Sequence, residues 1–345
     1  MKTRKCGTGK ELGSLAKHRA YLGKPPKRGC LVPFPCKPAE VFATQVKGLA
    51  ARLKAIKCRD VVIGLSGGLD STLALLVCDA AFAKLKLDKR GIHVYTLPGF
   101  GTSRRTKGNA ELLCEGLGLK IETISIAKSV RQHLKDIGHD GKNPDITYEN
   151  AQARMRTMIL MDKANMTGGI VIGTGDLSEI ALGWSTYNGD HMSMFAVNNG
   201  VPKTVIRMVC QWWAEKVAGL RGCGVAARAI LDIIATPVSP ELVKGQVTED
   251  KIGPYELHDF FLWNFIMNEM GSRDLQKAAE RYFLGGSTSQ PITRELIAKT
   301  LRTFLWRFFT QAFKRNCQPD GIRVFPFELS LRGWWIPSDL GFVKL

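Results

Sequence analysis

The sequence predicts an α/β protein: a doubly wound parallel sheet with flanking helices, followed by a mainly helical C-terminal part. Three observations point there. Short β-branched runs recur around Val61, Ile92 and Ile170, and segments of helix length separate them. Glycine-containing turns close two of the runs, at Ser66–Ser71 and Gly173–Asp176. That rhythm belongs to parallel βαβ units.

The elements follow in order. Val61–Leu65 reads as a buried strand, and the apolar stretch Thr72–Leu85 as the helix after it. Ile92–Leu97 is a second strand, stopped by Pro98-Gly99. A helix through Asn109–Leu117 leads to a third strand at Lys120–Ile124. Thr147 is expected to cap a long helix through Arg154 and Met161 that ends at Gly168-Gly169. Gly169–Ile172 is the fourth strand, and beyond Val201 helices dominate, clearest at Phe260–Met270 and Ile292–Phe313.

Composition bounds the function. Of 345 residues, 45% are hydrophobic and 23% charged, which suits a soluble globular chain placed in the cytoplasm. No apolar run approaches the roughly 20 residues of a membrane helix, so no membrane partner is expected. Ten Lys or Arg against Glu11 alone lie between Met1 and Lys37, which is half of the formal charge of +18. Such a stretch can bind nucleic acid or an acidic surface. It is read here as a solvated extension and linker remnant over residues 1–37, with no nucleic-acid partner. None of the nine cysteines forms a CxxC pair or a zinc pattern with His, so reduced core thiols are expected.

In doubly wound sheets ligands bind outside the carboxyl ends of the strands. Ser66-Gly67-Gly68-Leu69-Asp70-Ser71 lies at one such end, between strand and helix. Its glycines let the backbone expose N–H groups, and the helix adds a partial positive charge, so the loop suits a pyrophosphate. It is not the P-loop GxxxxGK[ST]. A Gly-Gly turn is common in structure alone; the full hexapeptide in this setting is not. It resembles the SGGxDS loop of the ATP pyrophosphatase superfamily, whose members cleave ATP to AMP and pyrophosphate. The resemblance implies an adenine nucleotide alpha hydrolase-like fold, ATP held by Gly64, Leu65, Ser66, Gly67, Gly68, Leu69, Asp70 and Ser71, and Mg2+ held by Asp70. A carboxylate beside phosphates is also what Mg2+ chemistry asks for, although an aspartate there can simply cap the helix.

The stretch Gly173–Thr204 identifies the branch: GTGDLSEIALGWSTYNGDHMSMFAVNNGVPKT resembles the signature region of NAD+ synthetases. Segments at Pro98–Ser103, Thr147–Arg154, Thr248–Phe260 and Phe309–Arg315 resemble the same family in the same order. The resemblance runs from Pro33 to the C-terminus and is strongest to the synthetase half of the glutamine-dependent enzymes. It implies a synthetase domain over residues 38–345 and an enzyme, a carbon–nitrogen ligase. Thr174 and Lys203 would also contact ATP, and Glu179 would be the second Mg2+ carboxylate. Asn150, Glu179, Trp184, Ser185, Thr186, Tyr187 and Lys314 would line the site for deamido-NAD+. Asp190 is a candidate base for ammonia, and Arg154 and Arg156 are either phosphate contacts or solvated helix charges.

The implied reaction amidates deamido-NAD+ through an NAD-adenylate, with ATP as co-substrate and AMP and pyrophosphate as products. Glutamine-dependent relatives carry an N-terminal amidase domain that does not fit before Ser66. Ammonia is therefore the expected direct donor, with glutamine used only through a separate or missing amidase part. A homo-oligomer, at least a dimer, is expected from the family. The rival readings are another ATP pyrophosphatase, such as a tRNA-modifying enzyme, and a non-catalytic nucleotide-binding remnant.

Overall fold

In this computed structural model, residues 31–218, 224–239, 242–243, 245, 247–284 and 292–330 are described. Most of the basic extension, with Cys6 and Cys30, lies outside them.

Among the described residues, five strands form one parallel sheet in the order β3-β2-β1-β4-β5. They are β1 (Val61–Gly64), β2 (Ile92–Thr96), β3 (Ile121–Thr123), β4 (Ile170–Gly173) and β5 (Phe195–Ala196). Four were expected within a residue or two at each end. The two-residue β5 was not, because a strand so short has no periodicity to detect. It is held by its pairing to β4, Ile172 to Phe195, and by a bridge from Ala196 to Gly321.

Alternate side chains of β1 enter different cores. Val61 and Ile63 join one apolar cluster with Leu73 and Val77, and Val62 joins another with Val171 and Ile126. All three β1 residues are fully buried. Each such side chain stabilises the fold by about 1.5–3 kcal/mol. A strand buried on both faces must read as a continuous apolar run, and this one does.

On the first face lie α1 (Pro38–Ala55), α2 (Leu69–Leu85), α7 (Lys203–Val217) and α8 (Gly224–Ile234). α3 (Arg104–Leu117) packs against α8 beside them. On the second face lie α4 (Ala127–Asp136) and α5 (Ile146–Thr167). The sequence reading passed over α4, whose interior contact rests on Val130 and Leu134 alone. One expectation is corrected at α5. Its N-cap is Asp145, not Thr147: the Asp145 carboxylate accepts from Tyr148 N at 3.0 Å. A carboxylate in extended backbone caps better because it also faces the positive end of the helix.

The remaining helices among the described residues are α6 (Leu177–Leu182), α9 (Thr248–Ile252), α10 (Tyr255–Met267), α11 (Ser272–Phe283) and α12 (Arg294–Thr310). A 3-10 segment, Ala312–Cys317, follows α12. The expected helical C-terminal part is present, with Phe260, Phe261, Phe304 and Phe308 at its centre. Six cysteines are free thiols among the described residues; Cys78, Cys114 and Cys210 are buried in the core, whereas Cys36, Cys58 and Cys317 are only half-buried. No helix among those residues is long and apolar enough to cross a membrane.

Strand order reverses between β2 and β4 on either side of β1, and ligand crevices open at such switch points. The loops that leave β1 and β4 therefore meet.

Candidate active site

The first loop is folded on itself by its serines. Ser66 Oγ lies 3.1 Å from Ser71 Oγ, Gly68 N donates to Ser66 Oγ at 3.2 Å, and Ser71 Oγ donates to Gly68 O. Gly67 has φ +83, and a Cβ there would sit 2.1 Å from Thr106 O. Only glycine fits. The cap residue of α2 is Gly68, which has no side chain to accept from the first-turn amides. That is the chemistry of an anion cradle at a helix N-terminus.

The second loop carries the acids. Asp176 caps α6 by accepting from Glu179 N at 2.8 Å, and its other oxygen lies 2.7 Å from Lys203 Nζ. Lys203 begins α7, and its side chain is 3% exposed. The same ammonium donates to Asp70 Oδ2 at 2.6 Å and Glu179 Oε1 at 2.9 Å. The three carboxylates present oxygens within 4.8 Å of one another around a single cation. Burial pushes the Asp176 and Glu179 carboxyls up, Glu179 to about 7, against the pull of Lys203. Burial also opposes the Lys203 charge, yet the three carboxylates together hold that amine well above its ordinary value.

Asn198 fastens the two loops. Its Nδ2 donates to Asp70 O at 2.8 Å and Thr174 O at 3.1 Å, while Gln45 Nε2 donates to its Oδ1. The cluster fits a divalent cation. Asp70 Oδ1 is buried with no hydrogen-bond partner, and three carboxylates against one ammonium leave negative charge beside a phosphate cradle.

The segment Gly183–His191 leaves α6 next to this cluster, with Trp184 N donating to Glu179 O at 2.9 Å. Its hydrogen bonds turn inward. Thr186 Oγ1 donates to Asn150 Oδ1, and Thr186 N donates to Asp190 Oδ1. Lys314 Nζ donates to the carbonyls of Gly183 and Ser185 at 2.9 and 2.7 Å. Arg154 donates to Tyr187 O, and Arg156 to Leu97 O. The Arg307 guanidinium lies 4.8 Å from the Trp184 ring, whereas Tyr187 is 38% exposed. Asn150, Ser185, Thr186, Tyr187 and Lys314 are thus gathered at one segment. Lys314 and Arg154 hold its backbone, and Asp190 holds its turn; burial raises the Asp190 carboxyl.

Sequence reasoning brought Asp70, Glu179 and Lys203 forward and missed Asp176, Asn198 and the buried Asp259 of α10, which accepts from Ser178 Oγ and Thr204 Oγ1 beside the cluster. Asp176 stands in the Gly173-Thr-Gly-Asp turn and could have been found as a cap before a short helix. Asn198 and Asp259 lie in the family-like segments Gly173–Thr204 and Thr248–Phe260, but nothing local in the sequence marks what they hold.

The protein-family model for NAD synthase matches residues 41–282. The chain is 38% identical over 328 residues to a glutamine-dependent NAD(+) synthetase of Mycobacterium leprae, covering 87% of this chain and 48% of that protein. It is 40% identical over 333 residues to the Mycobacterium bovis protein of the same name, covering 87% and 47%. The chain spans about half the length of the curated relatives it matches. In fold it is similar to a glutamine-dependent NAD(+) synthetase from Cytophaga hutchinsonii (TM-score 0.68, 18% identity, 87% of this chain and 54% of that one). It is also similar to an NMN synthetase from Francisella tularensis (TM-score 0.60, 24% identity, 82% and 97%). By the matched span and the identity of these relatives, the chain belongs to the NAD synthase family.

Proposed function

We propose that this chain is the synthetase part of an NAD+ synthetase, converting deamido-NAD+ to NAD+ with ATP. The observation that carries the reading is Lys203 enclosed by Asp70, Asp176 and Glu179 beside the Ser66–Ser71 cradle. The nicotinate carboxylate attacks the α-phosphorus of ATP and pyrophosphate leaves, giving an NAD-adenylate. Ammonia then attacks the acyl carbon, releasing AMP and NAD+. The cradle amides and the start of α2 bind the leaving pyrophosphate, and Asn198 keeps the two loops in register. Asp70 and Glu179, with Asp176 beside them, would hold Mg2+, which supplies charge neutralisation to the phosphates when bound. The Gly183–His191 segment, with Asn150 and Lys314, receives the nicotinate end, and Tyr187 offers a ring for stacking.

Ammonia is the direct donor in this reading. The relatives named as glutamine-dependent suggest that an amidase part, on another chain or an adjoining segment, delivers it in the native setting. Residues 38–345 form the synthetase domain, in the cytoplasm, and assemble at least as a dimer. Pure chain incubated with deamido-NAD+, ATP, Mg2+ and ammonium should produce AMP and NAD+ in equal amounts. A parallel arm with nicotinate mononucleotide tests the smaller substrate. ATP cleavage only with a different acceptor, or no AMP from any, would overturn the reading.

A further inference from the structure

We propose that Asp259 is a positioning residue that locks the start of α7 onto α6 and so aims the Lys203 ammonium at the three carboxylates. Asp259 lies on α10 and has no exposed surface. Its Oδ1 accepts from Ser178 Oγ, and its Oδ2 accepts from Thr204 N at 3.0 Å and Thr204 Oγ1 at 2.7 Å. Ser178 Oγ in turn accepts from Lys203 N at 2.8 Å. One carboxylate therefore reaches the backbone of residue 204 directly and that of residue 203 through Ser178.

This arrangement replaces a missing cap. The residue before α7 is Pro202, which makes no side-chain cap hydrogen bond. The first amides of α7 are instead taken by Ser178 and Asp259 from two other helices. Ser178 adjoins Glu179 and Thr204 adjoins Lys203, so each Asp259 oxygen is anchored one residue from a member of the cluster. Burial pushes the Asp259 carboxyl up to about 6, against the pull of the Ser178 and Thr204 bonds. A group kept only for packing would be better served by an apolar side chain, since a buried carboxylate costs stability even when hydrogen-bonded. Asp259 hydrogen-bonds to Ser178 and Thr204 rather than to Lys203 Nζ or the three carboxylates, so its grip on the cluster runs through the two helix starts.

The inference rests on the synthetase reading for its assay and separates from it by binding. The full chain is compared as wild type, Asp259→Asn, Ser178→Ala, Lys203→Arg and the double variant Asp259→Asn/Lys203→Arg. Outer-shell partners of this kind are worth about 10–100-fold in activity or affinity. Asp259→Asn should lose turnover in that range, and Ser178→Ala should lose several-fold without touching the buried charge. With Lys203→Arg already misplacing the cation, adding Asp259→Asn should cost nothing further, because the two act as one unit. A carboxylate that merely stabilises the fold would lower both backgrounds by the same factor, and that additivity would overturn the proposal. So would wild-type turnover in Ser178→Ala, the variant that carries the test if Asp259→Asn fails to fold. If the wild type makes no NAD+ with any donor, the synthetase reading fails alone. The same cycle is then read by calorimetric affinity for Mg2+-ATP, where non-additivity supports the positioning role and additivity overturns it.

Discussion

Asp70 and Lys203, 133 residues apart in the chain, meet with Nζ 2.6 Å from Oδ2. The contact joins the helix after β1 to the helix that follows the loop after β4 and β5. It is possible only because β1 and β4 are neighbours in the sheet. The ammonium sits among three acids that would otherwise repel, so it holds the crevice together as well as offering positive charge to a phosphate.

Removing that ammonium leaves the buried Asp176 and the half-buried Asp70 and Glu179 uncompensated. Lys203→Gln should destabilise the chain by about 3–5 kcal/mol at neutral pH. The deficit should shrink towards about pH 5, as Asp176 and Glu179, whose carboxyls burial already raises, take up protons. Urea unfolding at both pH values measures it. An equal deficit at each would show that the acids are not the cause.

Glu179 sets a slope in the wild type. Its carboxyl rises from 4.5 to about 7 on folding, so its contribution is fully present below 4.5 and is lost as pH rises through about 7. Glu179→Gln should flatten the metal-free stability profile across that window, by at most about 1.4 kcal/mol per pH unit. Thermal unfolding in chelator, scanned over pH, shows whether the slope belongs to Glu179.

As the proposed metal ligands, Asp70 and Glu179 should be needed for turnover far more than for folding. Asp70→Asn or Glu179→Gln should cut kcat by roughly 100-fold or more and raise the Mg2+ concentration needed for half activity. Titration of Mg2+ at saturating ATP separates the two effects. Wild-type turnover in either variant removes that residue from the metal site.

Gly67→Ala should damage the cradle. A side chain at φ +83 with Cβ 2.1 Å from Thr106 O forces the loop or α3 to move. The cost should be about 1–3 kcal/mol of stability, with a rise in the KM for ATP. Gly108→Ala, on α3 with open space around the added carbon, is the matched control.

The donor is tested by pH. Unprotonated ammonia is the nucleophile in the proposed second step, so the KM for total ammonium should fall about tenfold per pH unit below the ammonium pKa. Glutamine alone should support no turnover. Efficient glutamine use by this chain alone would require an amidase site on it and would sink the ammonia reading.

The amino-acid sequence is enough to specify the parallel sheet, since strands buried on both faces must be written as apolar runs such as Val61–Ile63. It also determined the cradle, because Ser66–Ser71 builds its anion site from consecutive backbone groups, with Gly67 at a position only glycine can occupy. The resemblance over Gly173–Thr204 put Glu179 and Lys203 in the site. It could not put Asp176 there, because a cap and an ion-pair partner look alike until Lys203 is seen above it. Asn198, Asp259 and β5 were decided by the tertiary structure alone. Each works through partners far along the chain: Asn198 through Asp70 and Thr174, Asp259 through Ser178 and Thr204, and β5 through β4 and Gly321. Their chemistry is ordinary amide, carboxylate and backbone hydrogen bonding, which carries no local pattern. Only the strand order brought those partners within reach.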